Sequence, residues 1–345
     1  MEYGCLHKGG RFIAEAKDGN GRAAWKHTPR PEKGDGRMKT MGIDIGGTSF
    51  RIGIADGDNN LIRFDKVPTR SVFRTGNVLK DLSDYLVSFS RGITVDAAAV
   101  GFPATLDAAR TRVLQAPNVP FMENLPVCET LEKEMKIPVY VERDVTFALF
   151  YDTEKYRIPP EGLTCGIYFG TGIGNAMLLN GKPIAGRHGT AGELGHIPVR
   201  GSHIPCGCGN AGCLEAVAGG KAIARVQRER FPDTPIGEMF TEHGKDPDLL
   251  DIVRGMAYAV ATEVNILDPD YLLLGGGVLS MKEFPRQTLE EMIREHTRKP
   301  WPCDDLVIRY TEDDPDKSVI GGAVFARRKL GFAGPDARRS AAESF

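Results

Sequence analysis

The sequence predicts an α/β protein of two similar lobes facing one another across a cleft, and three observations predict it. Apolar runs that read as strands alternate with helical periods, the pattern of an α/β fold. One strand–turn–strand unit occurs twice, Gly42-Ile-Asp-Ile-Gly46 closing at Asp56-Gly57 and Gly166-Ile-Tyr-Phe-Gly170 closing at Asn180-Gly181, with every glycine at a constant offset of 124 residues. At 345 residues the chain is long enough for two hydrophobic cores. Each copy of the unit reads as a β-hairpin closed by an Asp-Gly or Asn-Gly turn, so each hairpin would open one lobe.

The elements follow in order. Residues 1–38 are rich in Gly, Lys and Arg, carry turn formers such as Asp18-Gly19-Asn20-Gly21, and show no apolar period. They are expected to be disordered, or to lie upstream of the true start at Met38 or Met41. Residues 39–150 would form the N-terminal lobe. Within it, Phe50-Arg-Ile-Gly-Ile-Ala is a second strand and Val78 to Phe89 a helix with Leu79, Leu82, Leu86 and Phe89 on one face. Ala97-Ala-Ala-Val-Gly-Phe and Ile137-Pro-Val-Tyr-Val-Glu read as further strands. Residues 151–317 would form the C-terminal lobe, with a helix from Leu249 to Leu267 and a buried strand at Leu272-Leu-Leu. Residues 318–335 are expected to be a helix returning to the N-terminal lobe.

Composition removes several functions. A net charge of −2 provides no electrostatic capture of nucleic acid or of an anionic membrane. No apolar run approaches the ~20 residues that span a bilayer. No signal-peptide core is present near the N-terminus, so a cytoplasmic location is expected.

The glycine turns carry the first chemistry. In Asp44-Ile-Gly46-Gly47-Thr48, bare backbone N–H groups can approach phosphate oxygens, Thr48 adds a hydroxyl, and Asp44 is placed to hold Mg²⁺ directly or through water. Gly170-Thr171-Gly172-Ile173-Gly174 would grip phosphates from the opposite lobe. Gly275-Gly276-Gly277, after a buried strand, would let an adenine or ribose lie on the backbone, although a plain strand-to-helix turn reads equally well. No G-x-x-x-x-G-K-[ST] motif occurs, and Asn175 interrupts G-x-G-x-x-G. ATP bound between duplicated lobes remains.

A metal and sugar segment follows. His196 precedes Cys206, Cys208 and Cys213, and three thiolates with one imidazole make a closed tetrahedral Zn²⁺ site of structural type. Glu193 and Glu215 bracket it and could accept hydrogen bonds from sugar hydroxyls. Asp144 ends one strand and begins a helical run, where the helix N-terminus favours the carboxylate and suits a base for a hydroxyl proton. An ordinary N-cap aspartate is the alternative.

Taken together, D-I-G-G-T at 44–48, G-T-G-I-G at 170–174, G-E-L-G-H at 192–196, C-G-C-G-N-A-G-C-L-E at 206–215 and L-G-G-G-V at 274–278 resemble the ROK family, in that family's order, across residues 41 to 330. The resemblance implies a two-lobed actin-like (ribonuclease H-like) ATPase fold, with ATP and a free hexose between the lobes and phosphate transfer to the sugar 6-hydroxyl. It implies Asp144 as catalytic base and Glu193, Glu215 and His196 against the sugar. His196 with Cys206, Cys208 and Cys213 would hold zinc. Asn118 would contact a sugar hydroxyl, although its own sequence context reads only as a turn. Homodimers are usual in the family.

One position departs from the pattern. Family members that phosphorylate glucose commonly carry asparagine before the catalytic aspartate, where this chain has Arg143. Arg143 would contact the sugar or pair with Asp144. Arg143-Asp144-Val145, Gly101-Phe-Pro-Ala, Gly195-His-Ile-Pro and Phe284-Pro-Arg-Gln-Thr-Leu look most like the D-allose kinases of the family. A glucokinase, an N-acylhexosamine kinase and a non-catalytic sugar sensor are the alternatives. Family repressors carry an N-terminal helix-turn-helix, which the glycine-rich residues before Met41 do not resemble.

Overall fold

The computed structural model describes residues 38–331 and, upstream, the backbone of a two-residue strand pair, Ala16–Lys17 against Ala23–Ala24. The expectation for the rest of residues 1–37, and for residues 332–335, lies outside the described residues.

Each repeated unit seeds a sheet. β1 (Thr40–Ile45) and β2 (Ser49–Ala55) form the first hairpin, and β3 (Leu61–Pro68) extends it antiparallel. The helix α1 (Val78–Ser90) then returns the chain to β4 (Ala97–Phe102), parallel to β1, and α2 (Val127–Met135) returns it to β5 (Val139–Arg143), parallel to β4. The sheet order is β3-β2-β1-β4-β5. The chain passes straight from β5 into α3 (Asp144–Lys155).

The second sheet repeats this plan. β6 (Leu163–Phe169), β7 (Ile173–Leu179) and the short β8 (Lys182–Pro183) run antiparallel, and β9 (Tyr271–Gly275) and β10 (Ile308–Tyr310) add in parallel beyond β6. Its order, β8-β7-β6-β9-β10, matches the first sheet strand for strand. The duplication read from the glycines is therefore a duplication of topology. The two hairpins differ in one respect: Ile45 pairs with Phe50, whereas Phe169 pairs with Ile173, so the first turn is one residue longer.

Three cores follow from the period-2 alternation of strands. In β4, Ala98 and Val100 face the first lobe's core with Leu82, Leu86 and Leu131, while Ala97 and Ala99 face the other way. In β6, Cys165, Ile167 and Phe169 face the second lobe's core beneath α6 (Pro247–Leu267). The third core lies between the sheets, where Ala97 and Ala99 of the first sheet and Tyr168, Ala176 and Leu273 of the second enclose Phe147, Leu149, Phe150 and Phe325. Those phenylalanines belong to α3 and to the last helix, α8 (Lys317–Lys329), so these two helices join the sheets. Their crossing is tight. A Cβ at Gly321 would stand 1.8 Å from the Phe147 carbonyl oxygen, which only glycine permits. Thr40 of β1 also donates to the Ala323 carbonyl at 2.8 Å, binding α8 to the first sheet.

Candidate active site

Four strand ends and two turns converge where the sheets face each other. Asp44 lies near the end of β1 and is 5% exposed. Its Oδ2 accepts a hydrogen bond from Arg51 at 2.9 Å, the residue directly across the β1–β2 ladder. Burial, and next the charge of Asp144, push the Asp44 carboxyl up to about 6, while the Arg51 guanidinium opposes them. Gly46 closes its turn by donating to the Ser49 carbonyl at 3.0 Å, and the exposed Thr48 receives the Thr69 N–H on its carbonyl oxygen, also at 3.0 Å. Gly47 packs on the backbone of Asn118 so closely that a Cβ would stand 2.7 Å from the Asn118 carbonyl oxygen. Asn118 thus sits against the first glycine turn.

Asp144 opens α3, and its Oδ1 accepts from the Val145 N–H at 2.8 Å. Burial raises its carboxyl above the ordinary carboxylate value. The Val145 N–H and the Arg143 charge work against that rise, and the Glu193 charge adds to it. A carboxylate made more basic in this way is matched to taking a proton near neutral pH.

Arg143 does not place its hydrogen bonds on Asp144. Its Nη2 donates to the carbonyls of Asn175 at 2.9 Å and Ala191 at 3.0 Å, and its Nη1 donates to Glu193 Oε1 at 3.1 Å. The arginine therefore leaves β5 in the first lobe and anchors three points of the second. Arg110 makes a parallel link, pairing with the buried Glu142 at 3.2 Å and donating to the Gly189 carbonyl at 2.9 Å.

Glu215 opens the short helix α4 (Glu215–Ala218) and turns its carboxylate onto the second glycine turn. Its Oε2 accepts from the Ile173 N–H at 3.1 Å, and a Cβ at Gly172 would stand 2.0 Å from that oxygen. The carbonyls of Gly170 and Thr171 accept from Gly220 and Lys221 at 2.8 and 3.0 Å, so the turn rests on the start of α5 (Gly220–Arg230). Gly174 lies against Val145 of α3. Gly275 ends β9 beside Thr311, Gly276 has φ +98° and packs on Phe169, and Gly277 lies near Asp313. The Val278 N–H reaches the Phe169 carbonyl at 2.9 Å. Gly275–Gly277 and Gly170–Gly174 thus share Phe169 as a common floor.

The cysteine segment closes on itself. Cys206 Sγ is 3.5 Å from His196 Nδ1, Cys208 Sγ is 3.6 Å from Cys213 Sγ, and all four atoms lie within 4.8 Å of one another. None of these cysteines is disulfide-bonded. Zn–S bonds of about 2.3 Å in a tetrahedron separate sulfurs by about 3.7 Å, so the four atoms fit one Zn²⁺. Burial and the neighbouring sulfurs raise the Cys213 thiol, while the Asn210 backbone N–H lowers that of Cys208. The His196 Nε2 is left 3.6 Å from Glu193 Oε2, which ties the cluster to the Arg143 link.

The site therefore brings Asp44, Asp144, Arg143, Glu193 and His196 to one place, with Glu215 and both glycine turns beside it. Sequence reading missed Arg51, Arg110 and Asn175. Arg51 could have been found from hairpin register, since a four-residue turn after Ile45 sets it opposite Asp44. Arg110 and Asn175 act through tertiary contacts with no local signal.

Comparison with known proteins places the fold and the family. The chain is 26% identical over 319 residues to a glucokinase of Thermotoga maritima, covering 86% of this chain and 99% of that protein. It is 29% identical over 250 residues to an N-acetylmannosamine kinase of Vibrio cholerae, covering 70% and 84%. The solved structure of a ROK family glucokinase from Streptomyces griseus in complex with glucose and AMPPNP superposes with a TM-score of 0.68, at 26% identity, covering 84% of this chain and 99% of that one. The matched sheets and the helices between them are thus a two-lobed actin-like ATPase fold. The ROK family model matches residues 40–329, and the chain belongs to the ROK family.

Proposed function

We propose that this chain, an ATP-dependent sugar kinase, transfers the terminal phosphate of ATP to the 6-hydroxyl of D-allose. The observation that carries the reading is Asp144, a half-buried carboxylate at a helix start whose charge is felt by Asp44 and which itself feels the charge of Glu193. Asp144 would accept the hydroxyl proton and aim the oxygen at the phosphorus. Backbone N–H groups of Gly46–Thr48 and Gly170–Gly174 would hold phosphate oxygens from the two lobes. Gly275–Gly277 would carry the adenosine. Mg²⁺, held through Asp44, would neutralise charge on the transferring group. Glu193, Glu215 and Asn118 would fix the sugar ring. Zn²⁺ on His196, Cys206, Cys208 and Cys213 would brace the loop that carries both glutamates, with no position left for water.

Allose is favoured over glucose by Arg143, which occupies a position where glucose-phosphorylating members commonly hold asparagine. The glucokinase and N-acetylmannosamine kinase relatives supply the competing reading. An ADP-coupled screen of allose, glucose, mannose, fructose and N-acetylmannosamine separates them. The proposal expects the highest kcat/KM for allose. A higher value for glucose or N-acetylmannosamine overturns the substrate, and absence of ADP with every sugar overturns catalysis. We further assign the chain to the cytoplasm as a homodimer. Among the described residues no helix is long and apolar enough to cross a membrane.

A further inference from the structure

We infer that Arg143 is a positioning residue, holding the Glu193 carboxylate in place for the hexose, and not a sugar ligand itself. The inference rests on the reading of Glu193 as a sugar-binding carboxylate. Four observations carry it. The Arg143 side chain is 9% exposed, whereas that of Glu193 is 40% exposed and so keeps an open side. Both hydrogens of Nη2 are taken by the carbonyls of Asn175 and Ala191, and one hydrogen of Nη1 is directed to Glu193 at 3.1 Å. The Nε atom is sealed from solvent, so it offers no donor to a ligand in the cleft. Finally, Gly192 fits against the guanidinium: a Cβ there would stand 3.2 Å from Nη2 and 2.8 Å from Asn175 Oδ1. The backbone leading into Glu193 is thus moulded around the arginine.

The consequence is a rigid path through the site. Arg143 holds Glu193 Oε1, His196 stands 3.6 Å from Oε2, and the His196 Nδ1 faces Cys206. A planar guanidinium suits this duty, because three acceptors in fixed directions match its fork. A sugar reaching Glu193 would meet a carboxylate oriented from both sides, with its rotamer entropy already removed. An asparagine at position 143 is too short to span to Ala191 and Asn175, so the two residue types at this position imply different duties.

A double-mutant cycle tests the inference, with D-allose and D-glucose as the titrated sugars in calorimetry without ATP. Glu193→Gln is expected to weaken sugar binding by about tenfold or more, the loss of a charged hydrogen bond. Arg143→Gln is expected to weaken it by a similar factor. The double variant should be no worse than the weaker-binding single, because both remove one interaction. Arg143→Lys, which keeps the charge but loses the fork, should recover part of the affinity. In turnover, KM for the sugar should rise more than kcat falls. Multiplying losses in the double variant would overturn the inference and leave the reading of Glu193 intact. If Glu193→Gln leaves both sugars bound at native affinity, that reading of Glu193 fails first, and the inference with it. Should Arg143→Gln not fold, the same cycle with Arg143→Lys decides by the same criterion.

Discussion

Lys317 is the residue whose loss should be felt most widely outside the site. It opens α8, is 8% exposed, and lies 3.0 Å from Oδ1 of Asp152, a carboxylate with no exposure in the middle of α3. It also donates to Asp152 Oδ2 and to Thr311, each at 3.1 Å. The Tyr168 hydroxyl, from β6, donates to the same Oδ2 at 2.8 Å. Thus four residues from α3, β6, the segment after β10 and α8 meet around one buried charge. Replacing Lys317 by Met leaves Asp152 with Tyr168 as its remaining strong donor. Removing one partner of a buried pair costs about 3–5 kcal/mol, because the other charge stays buried and unbalanced.

The pH dependence has a defined sign. Burial raises the Asp152 carboxyl above its ordinary range, with Lys317 and Tyr168 opposing. Without Lys317 it rises further. A carboxyl whose folded value exceeds its unfolded value contributes stability that is complete below the unfolded value and lost as pH rises through the folded one. The deficit of Lys317→Met should therefore be greatest near neutral pH and shrink as the solution is acidified. Urea unfolding at several pH values measures it, and adding Asp152→Asn should recover most of the loss. A deficit under about 1 kcal/mol at neutral pH, or one that grows on acidification, would refute the reasoning. The nucleotide site should respond as well. Thr311 Oγ1 lies where a Cβ on Gly275 would come within 2.2 Å, so releasing Lys317 loosens the end of β9, and KM for ATP should rise.

Four further outcomes can be measured directly. Asp144→Asn should lower kcat by about 10²–10⁴ while sparing sugar binding, and a near-normal kcat would remove Asp144 as base. In the native enzyme, activity should fall as pH drops through the raised Asp144 and Asp44 values, giving an acid limb shifted up from the ordinary carboxylate range, with Asp44 at about 6, read from a pH–rate profile. Gly172→Ala should raise KM for the sugar by about tenfold, since the new methyl must displace Glu215 from its 3.1 Å bond to Ile173 N–H. Metal analysis should find about one zinc per chain, lost together with thermal stability in a Cys206→Ser, Cys208→Ser variant.

Much of this fold was legible in the sequence, for reasons that can be stated. The hairpins announced themselves because a glycine turn between period-2 strands is encoded locally. α1 formed over Val78–Ser90 with Leu82 and Leu86 buried, and Asn77 capping the Lys80 N–H at 3.2 Å, as its apolar face required. The cysteine cluster was legible because four soft ligands within eighteen residues leave few other arrangements. What was not legible depended on distance. The joining of α3 to α8 rests on Gly321, which in sequence is one glycine in a helical run. The partner of Arg143 was open between the sugar and Asp144, and the structure directs its protein hydrogen bonds to Asn175, Ala191 and Glu193 and not to Asp144. The register between lobes, which no local pattern encodes, put Ala191 and Glu193 within its reach.

That outcome bears on why Arg143 is compatible with catalysis at all. A guanidinium beside a general base lowers the base's pKa, and a direct bidentate pair with Asp144 would have held its carboxylate ionised but weakly basic. Here the hydrogen bonds go elsewhere, and burial outweighs the charge that remains, so Asp144 stays raised. The same arginine that interrupts the glucokinase pattern therefore leaves the base intact while bracing a carboxylate on the other lobe. In the proposed reading, the base and the sugar-site brace can be adjacent residues because the β5–α3 junction turns their side chains in different directions, Arg143 towards the second lobe and Asp144 back onto its own helix start.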